Sequence, residues 1–72
     1  MIRFQIADHT GHSTVDFARD AAGIAEAERK FNALVSQGNA AFAKRGSGDA
    51  RKVTALDPAA DTHLFMAPLQ GG

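Results

Sequence analysis

Residues 1–7 (MIRFQIA) set Ile2, Phe4 and Ile6 against Arg3 and Gln5, the two-residue period of a strand with one buried face. Residues 8–12 (DHTGH) bring Asp8 and Gly11 to turn positions. Residues 13–17 then resume the alternation, with Val15 and Phe17 on one side and Thr14 and Asp16 on the other. The pattern predicts a hairpin on which Ile2, Phe4, Ile6, Val15 and Phe17 share one apolar face in need of a cover.

From about Ala22 to Gln37 the period lengthens. Ile24, Ala27, Phe31, Leu34 and Val35 fall on one helical stripe, while Glu26, Arg29, Lys30 and Ser36 face mostly away. Asp20 is the expected N-cap, and Glu26 and Glu28 precede Arg29 and Lys30 as the helix dipole prefers. Gly38 supplies a left-handed stop. Gly23 costs the first turn about 1 kcal/mol relative to alanine, which places the expected start nearer Ile24.

The second half is less regular. Residues 40–44 (AAFAK) and 51–56 (RKVTAL) read as two short strands joined by the turn-rich 45–49 (RGSGD). Asp57 and Pro58 break the ladder, and residues 61–67 (DTHLFMA) form a last apolar segment ended by Pro68. Its register stays open: either Leu64 and Met66 face inward and His63 and Phe65 outward, or the reverse. Residues 69–72 (LQGG) have no core pattern and read as a tail following a single domain over 1–68. The order is strand, strand, helix, strand, strand, strand. It predicts an α+β domain with one helix over one face of a mixed sheet of four to five strands. The crossover helix leads to the expectation that the third strand runs parallel to the first, a β-grasp arrangement.

Composition sharpens this picture in two ways. Alanine contributes 15 residues, as many as Leu, Ile, Val and Phe together, so large apolar side chains are scarce and stability is expected to be marginal. With 72 residues and no cysteine, a disulfide framework, a thiolate metal site and a cysteine nucleophile are excluded. The 8 basic and 8 acidic residues balance, which argues against a nucleic-acid partner. No apolar run approaches the length of a membrane span and no charged-then-apolar leader opens the sequence, so a cytoplasmic protein without a membrane partner is expected.

Residues 61–72 (DTHLFMAPLQGG) combine an acidic residue, an alternating strand, Pro68 and a closing Gly71-Gly72. With the element order, this resembles the ubiquitin-like β-grasp superfamily, in particular the small prokaryotic sulfur carriers of molybdopterin and thiamine biosynthesis. Phage tail-assembly proteins with β-grasp domains are similar in layout. The sequence departs from the carriers in its polar DHTGH turn and in lacking their usual middle-strand pattern. The resemblance implies a modifier or sulfur carrier that is not itself an enzyme and needs no cofactor. The carboxylate of Gly72, threaded with Gly71 into a partner, would be activated by an E1-like adenylating enzyme. Glycine suits both positions because a tail without Cβ passes a narrow slot. His63, Phe65 and Leu69 are the expected partner surface. The rival reading is a non-catalytic interaction or assembly module with an inert tail.

Other constellations read as weaker chemistry. His9, His12 and Asp8, joined by His63 if the last strand lies beside the first, have the donors of a zinc site at loose spacing, and exposed turn histidines are more commonly solvated. Ser13, Ser36 and Ser47 lack a nucleophile-elbow context. The tip Gly46-Ser47-Gly48, flanked by Lys44, Arg45, Arg51 and Lys52, gathers four cations. It lacks P-loop spacing and an aromatic platform, and reads as a solvated turn.

Overall fold

The alternation of the N-terminal segment becomes a hairpin: β1 (Ile2–Asp8) pairs antiparallel with β2 (Gly11–Phe17), Ile2 opposite Phe17 and Phe4 opposite Val15. The computed structural model describes residues 1–8 and 11–67, so the tail 69–72, with Pro68 and His9, lies outside the described residues. The apolar side chains of the hairpin share one face, as their spacing predicts. The helix α1 (Ala21–Ser36) covers it with Ala27, Phe31 and Leu34.

Both ends of α1 are fixed by local chemistry. Asp20 has an extended backbone, and its Oδ1 accepts the Gly23 N–H at 2.7 Å, satisfying one of the amides that a helix start leaves unpaired. The helix begins at Ala21, ahead of the start that glycine propensity suggests. Gly23 is buried, and a Cβ there would overlap the Ala18 carbonyl. The residue that weakens the helix in isolation is what lets its first turn rest on the backbone leaving β2. At the other end Gly38 takes φ 94°. Its N–H reaches Val35 O at 2.9 Å, and the Asn39 N–H reaches Leu34 O at 3.2 Å, the paired bonds of a Schellman stop.

Beyond the helix come β3 (Ala40–Lys44), β4 (Arg51–Lys52) and β5 (Thr62–Met66), completing a five-stranded sheet in the order β2-β1-β5-β3-β4. The strand parallel to β1 is β5, and β3 is antiparallel to β5, which corrects the expectation of a parallel third strand. The connections Ala18 to Asp20 and Gln37 to Asn39 are tight and each turns the chain back, so β3 leaves the helix running opposite to β1. β4 is shorter than residues 51–56 suggest. Val53 N–H still bonds Ala41 O at 3.0 Å, after which the chain quits the sheet edge and wraps back to β5. Among the described residues no helix is long and apolar enough to cross a membrane.

The central strand also settles its register. His63 and Phe65 face α1 and are fully buried, while Leu64 and Met66 face the other way. Opposite Phe65 and His63 on β3 stand Ala41 and Ala43. Small residues there leave room for rings that also meet Phe4 and Phe31, with centroids of Phe65 at 4.8 and 5.4 Å from them. The alanine-rich composition and the aromatic core are thus two halves of one packing solution.

Gly23→Ala tests the helix start. Intrinsic propensity alone would stabilise the chain by about 1 kcal/mol; overlap with the Ala18 backbone instead destabilises it by about 1–3 kcal/mol. A thermal melt of the variant should fall below that of the parent. An unchanged or higher midpoint would mean that the Ala18 backbone withdraws freely.

Candidate functional site

The face of the sheet turned away from α1 has no covering element among the described residues. Register places on it Asp16, Thr14 and His12 from β2, Arg3, Gln5 and Ala7 from β1, and Thr62, Leu64 and Met66 from β5. Ala40, Phe42 and Lys44 from β3, with Lys52 from β4, complete it. Leu64 lies opposite Phe42, and Phe42 opposite Lys52, so an apolar centre runs directly into a cation. Leu64 and Phe42 are half-buried, and Met66 is 53% exposed. A shallow cavity of about 220 Å³ opens between Gln5, Ala7, His12, Leu64 and Met66. Lys44 and Lys52 fringe one side, and on the other Arg3 is held by Asp16 at 2.9 Å. The apolar patch is therefore bordered by a cationic rim in which the one described carboxylate, Asp16, is already bonded to a guanidinium.

On the opposite face the segment 53–61 is pinned by a polar knot. The Asp57 carboxylate accepts from Arg45 at 3.0 and 3.2 Å, from Arg51 at 3.2 Å and from the Ala59 N–H at 3.1 Å. These donors, led by Arg45, hold its pKa down at about 2. The Asp57 N–H donates to Nε2 of His63 at 3.1 Å. His63 is buried among Phe4, Phe31 and Phe65. Burial pushes its pKa below 6.5, and the nearby Asp57 carboxylate only partly opposes this. With Nε2 accepting, the neutral ring carries its proton on Nδ1, which is buried without a hydrogen-bond partner among the described residues. Arg19 adds a second clamp, donating to Pro58 O at 3.0 Å and to Asp61 at 3.1 Å.

The residues singled out by sequence fall in different places. His63 and Phe65, expected on a partner surface, are turned into the core; two rings fill the space beneath the helix and above Ala41 and Ala43, so the outward positions of β5 go to Leu64 and Met66. Leu69, Gly71 and Gly72 lie outside the described residues. His12 and His63 stand on opposite faces of the sheet, and no group of three metal-ligating side chains occurs among the described residues. The four cations of the β3–β4 hairpin divide in the same alternation. Arg45 and Arg51 close on Asp57, while Lys44 and Lys52 stand on the open face. Phe42 as a surface residue was hidden in sequence, because AAFAK reads most simply with its one large side chain inside. The chain matches no model of a known protein family, no curated protein and no solved structure.

Both groups of the knot make the fold acid-sensitive. Stability from neutral His63 is complete above 6.5 and is lost as pH falls through its lower folded value. Stability from ionised Asp57 is complete above 3.8 and is lost as pH falls towards about 2. Denaturant titrations across pH should show stability falling in two stages, with a slope of at most about 1.4 kcal/mol per pH unit for each proton. In His63→Gln the amide oxygen can accept the Asp57 N–H without titrating, and the upper stage should flatten. An upper stage of unchanged slope in that variant would assign it to another group.

Proposed function

We propose that the chain is a non-catalytic docking domain of the ubiquitin-like β-grasp kind, and that it binds a protein partner through the open face of its sheet. The observation that carries this reading is the patch of Phe42, Leu64 and Met66 with Lys44 and Lys52 at its edge. A fitting partner offers apolar side chains to the shallow cavity and carboxylates to the lysines. The inward faces of the sheet and helix are occupied with packing, and the open face is where Phe42, Leu64 and Met66 are left for recognition.

In its more specific form the partner is an adenylating enzyme and the substrate is the carboxylate of Gly72. The carboxylate oxygen attacks the α-phosphorus of ATP, pyrophosphate leaves, and the acyl-adenylate yields AMP when a sulfur or amine nucleophile attacks the carbonyl. The protein supplies the docking face and the acyl group, and the partner supplies the nucleotide site. The order of elements and the Gly71-Gly72 motif support this form. In the rival form, an assembly module, the same face docks and the tail stays inert.

Incubation with ATP and an extract of the source cells, read by intact mass, separates the two. The carrier form expects an adenylate, thiocarboxylate or isopeptide adduct that disappears when Gly72 is deleted. Its formation should slow about tenfold or more in Leu64→Asp, since a buried unpaired carboxylate at an interface costs well over 1.4 kcal/mol. An adduct indifferent to the Gly72 deletion, or none at all, rejects the carrier form. An adduct that depends on Gly72 and forms at the parental rate in Leu64→Asp rejects docking through this face.

A further inference from the structure

The two edges of the sheet differ in a way that points to a partner at one of them. β4 is a two-residue edge made of Arg51 and Lys52, short and charged as exposed edges usually are. β2 is a seven-residue edge with the sequence GHSTVDF. It contains no lysine, no proline and no bulge, since its pairing with β1 runs unbroken from Ile2–Phe17 to Asp8–Gly11. The backbone directions follow from two bonds on the far side of β1. Arg3 N–H goes to Asp61 O at 2.9 Å, and Ala7 O accepts from Ala67 N–H at 3.1 Å. Arg3, Gln5 and Ala7 therefore bond towards β5, and their partners on β2, namely Asp16, Thr14 and His12, direct their N–H and C=O groups away from the sheet.

We propose that this edge pairs antiparallel with the same edge of a second copy, about a two-fold axis at Thr14. That register sets Thr14 opposite Thr14 of the second copy and His12 opposite its Asp16, twice by symmetry. All three outward-facing residues of each strand are used, and each of the three pairs exchanges two backbone hydrogen bonds. A slip of two residues in either direction leaves one outward residue of each β2 opposite no outward residue of the other β2, and moves Asp16 off His12. The side-chain match is thus specific to this alignment: each Asp16 carboxylate sits between Arg3 of its own chain, 2.9 Å away, and the imidazole of His12 of the other, which can donate an N–H to it. The pairing extends each five-stranded sheet into one of ten strands. Because the two-fold axis of an antiparallel pair is perpendicular to the sheet, both open faces lie on the same side. The dimer presents two copies of the Phe42, Leu64 and Met66 patch to one partner surface, which raises avidity without new contacts.

Sedimentation analysis of the full chain from about micromolar to millimolar concentration, the range expected for a small edge-to-edge interface, should show a monomer of 7.6 kDa converting to twice that mass. Amide exchange followed by NMR should show the N–H groups of His12, Thr14 and Asp16 gaining protection as concentration rises, while those of Ser13 and Val15 are protected throughout. Thr14→Pro removes a donor that β1 does not use, and should abolish the dimer. His12→Glu sets carboxylate against carboxylate at both ends and should weaken association about tenfold or more, whereas His12→Lys retains it. The His12 variants leave the intrachain ladder untouched and so keep the test independent of Thr14→Pro folding. A chain that stays monomeric at the highest concentration overturns the proposal. So does a His12→Glu dimer of parental affinity, or one in which those three amides exchange as freely as in the monomer.

Discussion

β5 carries Phe65 and His63 into the space beneath α1, and the rest of the molecule is arranged around that insertion. The strand is central, parallel to β1 and antiparallel to β3, so it joins the N-terminal hairpin to the C-terminal one. Rings of this size fit only because the positions beside them are small: Ala41 and Ala43 on β3, Ala27 on the helix. In a chain with so few large apolar residues, stacking aromatics against alanine gives each ring several neighbours at once. Phe4 alone lies within 5.3 Å, centroid to centroid, of Phe17, His63 and Phe65. One misplaced ring would leave a void that alanine neighbours cannot close.

A histidine in that core needs a reason, and the 53–61 segment supplies it. This stretch has few ladder bonds of its own, because β4 ends at Lys52. Val53, Leu56 and Ala60 pack it against the core, and side chains reaching out of neighbouring elements bind it: His63 to the Asp57 N–H, Arg45 and Arg51 to the Asp57 carboxylate, Arg19 to Pro58 and Asp61. A phenylalanine at position 63 would pack as well and leave the Asp57 amide without that acceptor. The imidazole combines an aromatic body with a lone pair at its edge, and it serves both the core and the knot. The exposed ion pairs alone would contribute little; their part here is to fix one loop in one place.

The sequence was legible where a pattern had a single physical reading. The alternation of Ile2, Phe4 and Ile6 admits one strand face, the stripe of Ile24, Ala27, Phe31 and Leu34 admits one helix face, though Val35, expected on it, is 38% exposed, and Asp20 and Gly38 mark the ends of that helix by chemistry that needs no tertiary context. Legibility failed where tertiary contact decides. THLFM alternates between two pairs of similar bulk, His63 with Phe65 and Leu64 with Met66, and the inward pair is the one that stands opposite the small Ala41 and Ala43 on β3. Gly23 reads as a weak helix residue until the Ala18 backbone is placed against it. The crossover rule gives the direction of β3 only when it is applied to the strand that enters the helix: β2–α1–β3 is the crossover, so β3 runs parallel to β2 and opposite to β1. The partner surface was sought at His63 and Phe65, and the same register choice that buried them brought Leu64 and Met66 out.

That choice bears on function more than any motif does. A chain with as many alanines as all its Leu, Ile, Val and Phe together is short of material for its own core, yet Phe42, Leu64 and Met66 stand on the face away from the helix. Stability alone would favour polar residues there, as on the exposed side of an ordinary two-layer sheet. Lys44 and Lys52 give the patch a charged border, and the β2 edge, unpaired among the described residues, lies on the side of the sheet opposite β4. Large side chains withheld from a thin core and placed on one open surface are the feature on which the proposed docking role rests. The knot around Asp57 adds hydrogen bonds to a loop whose packing rests on few side chains, Val53, Leu56 and Ala60.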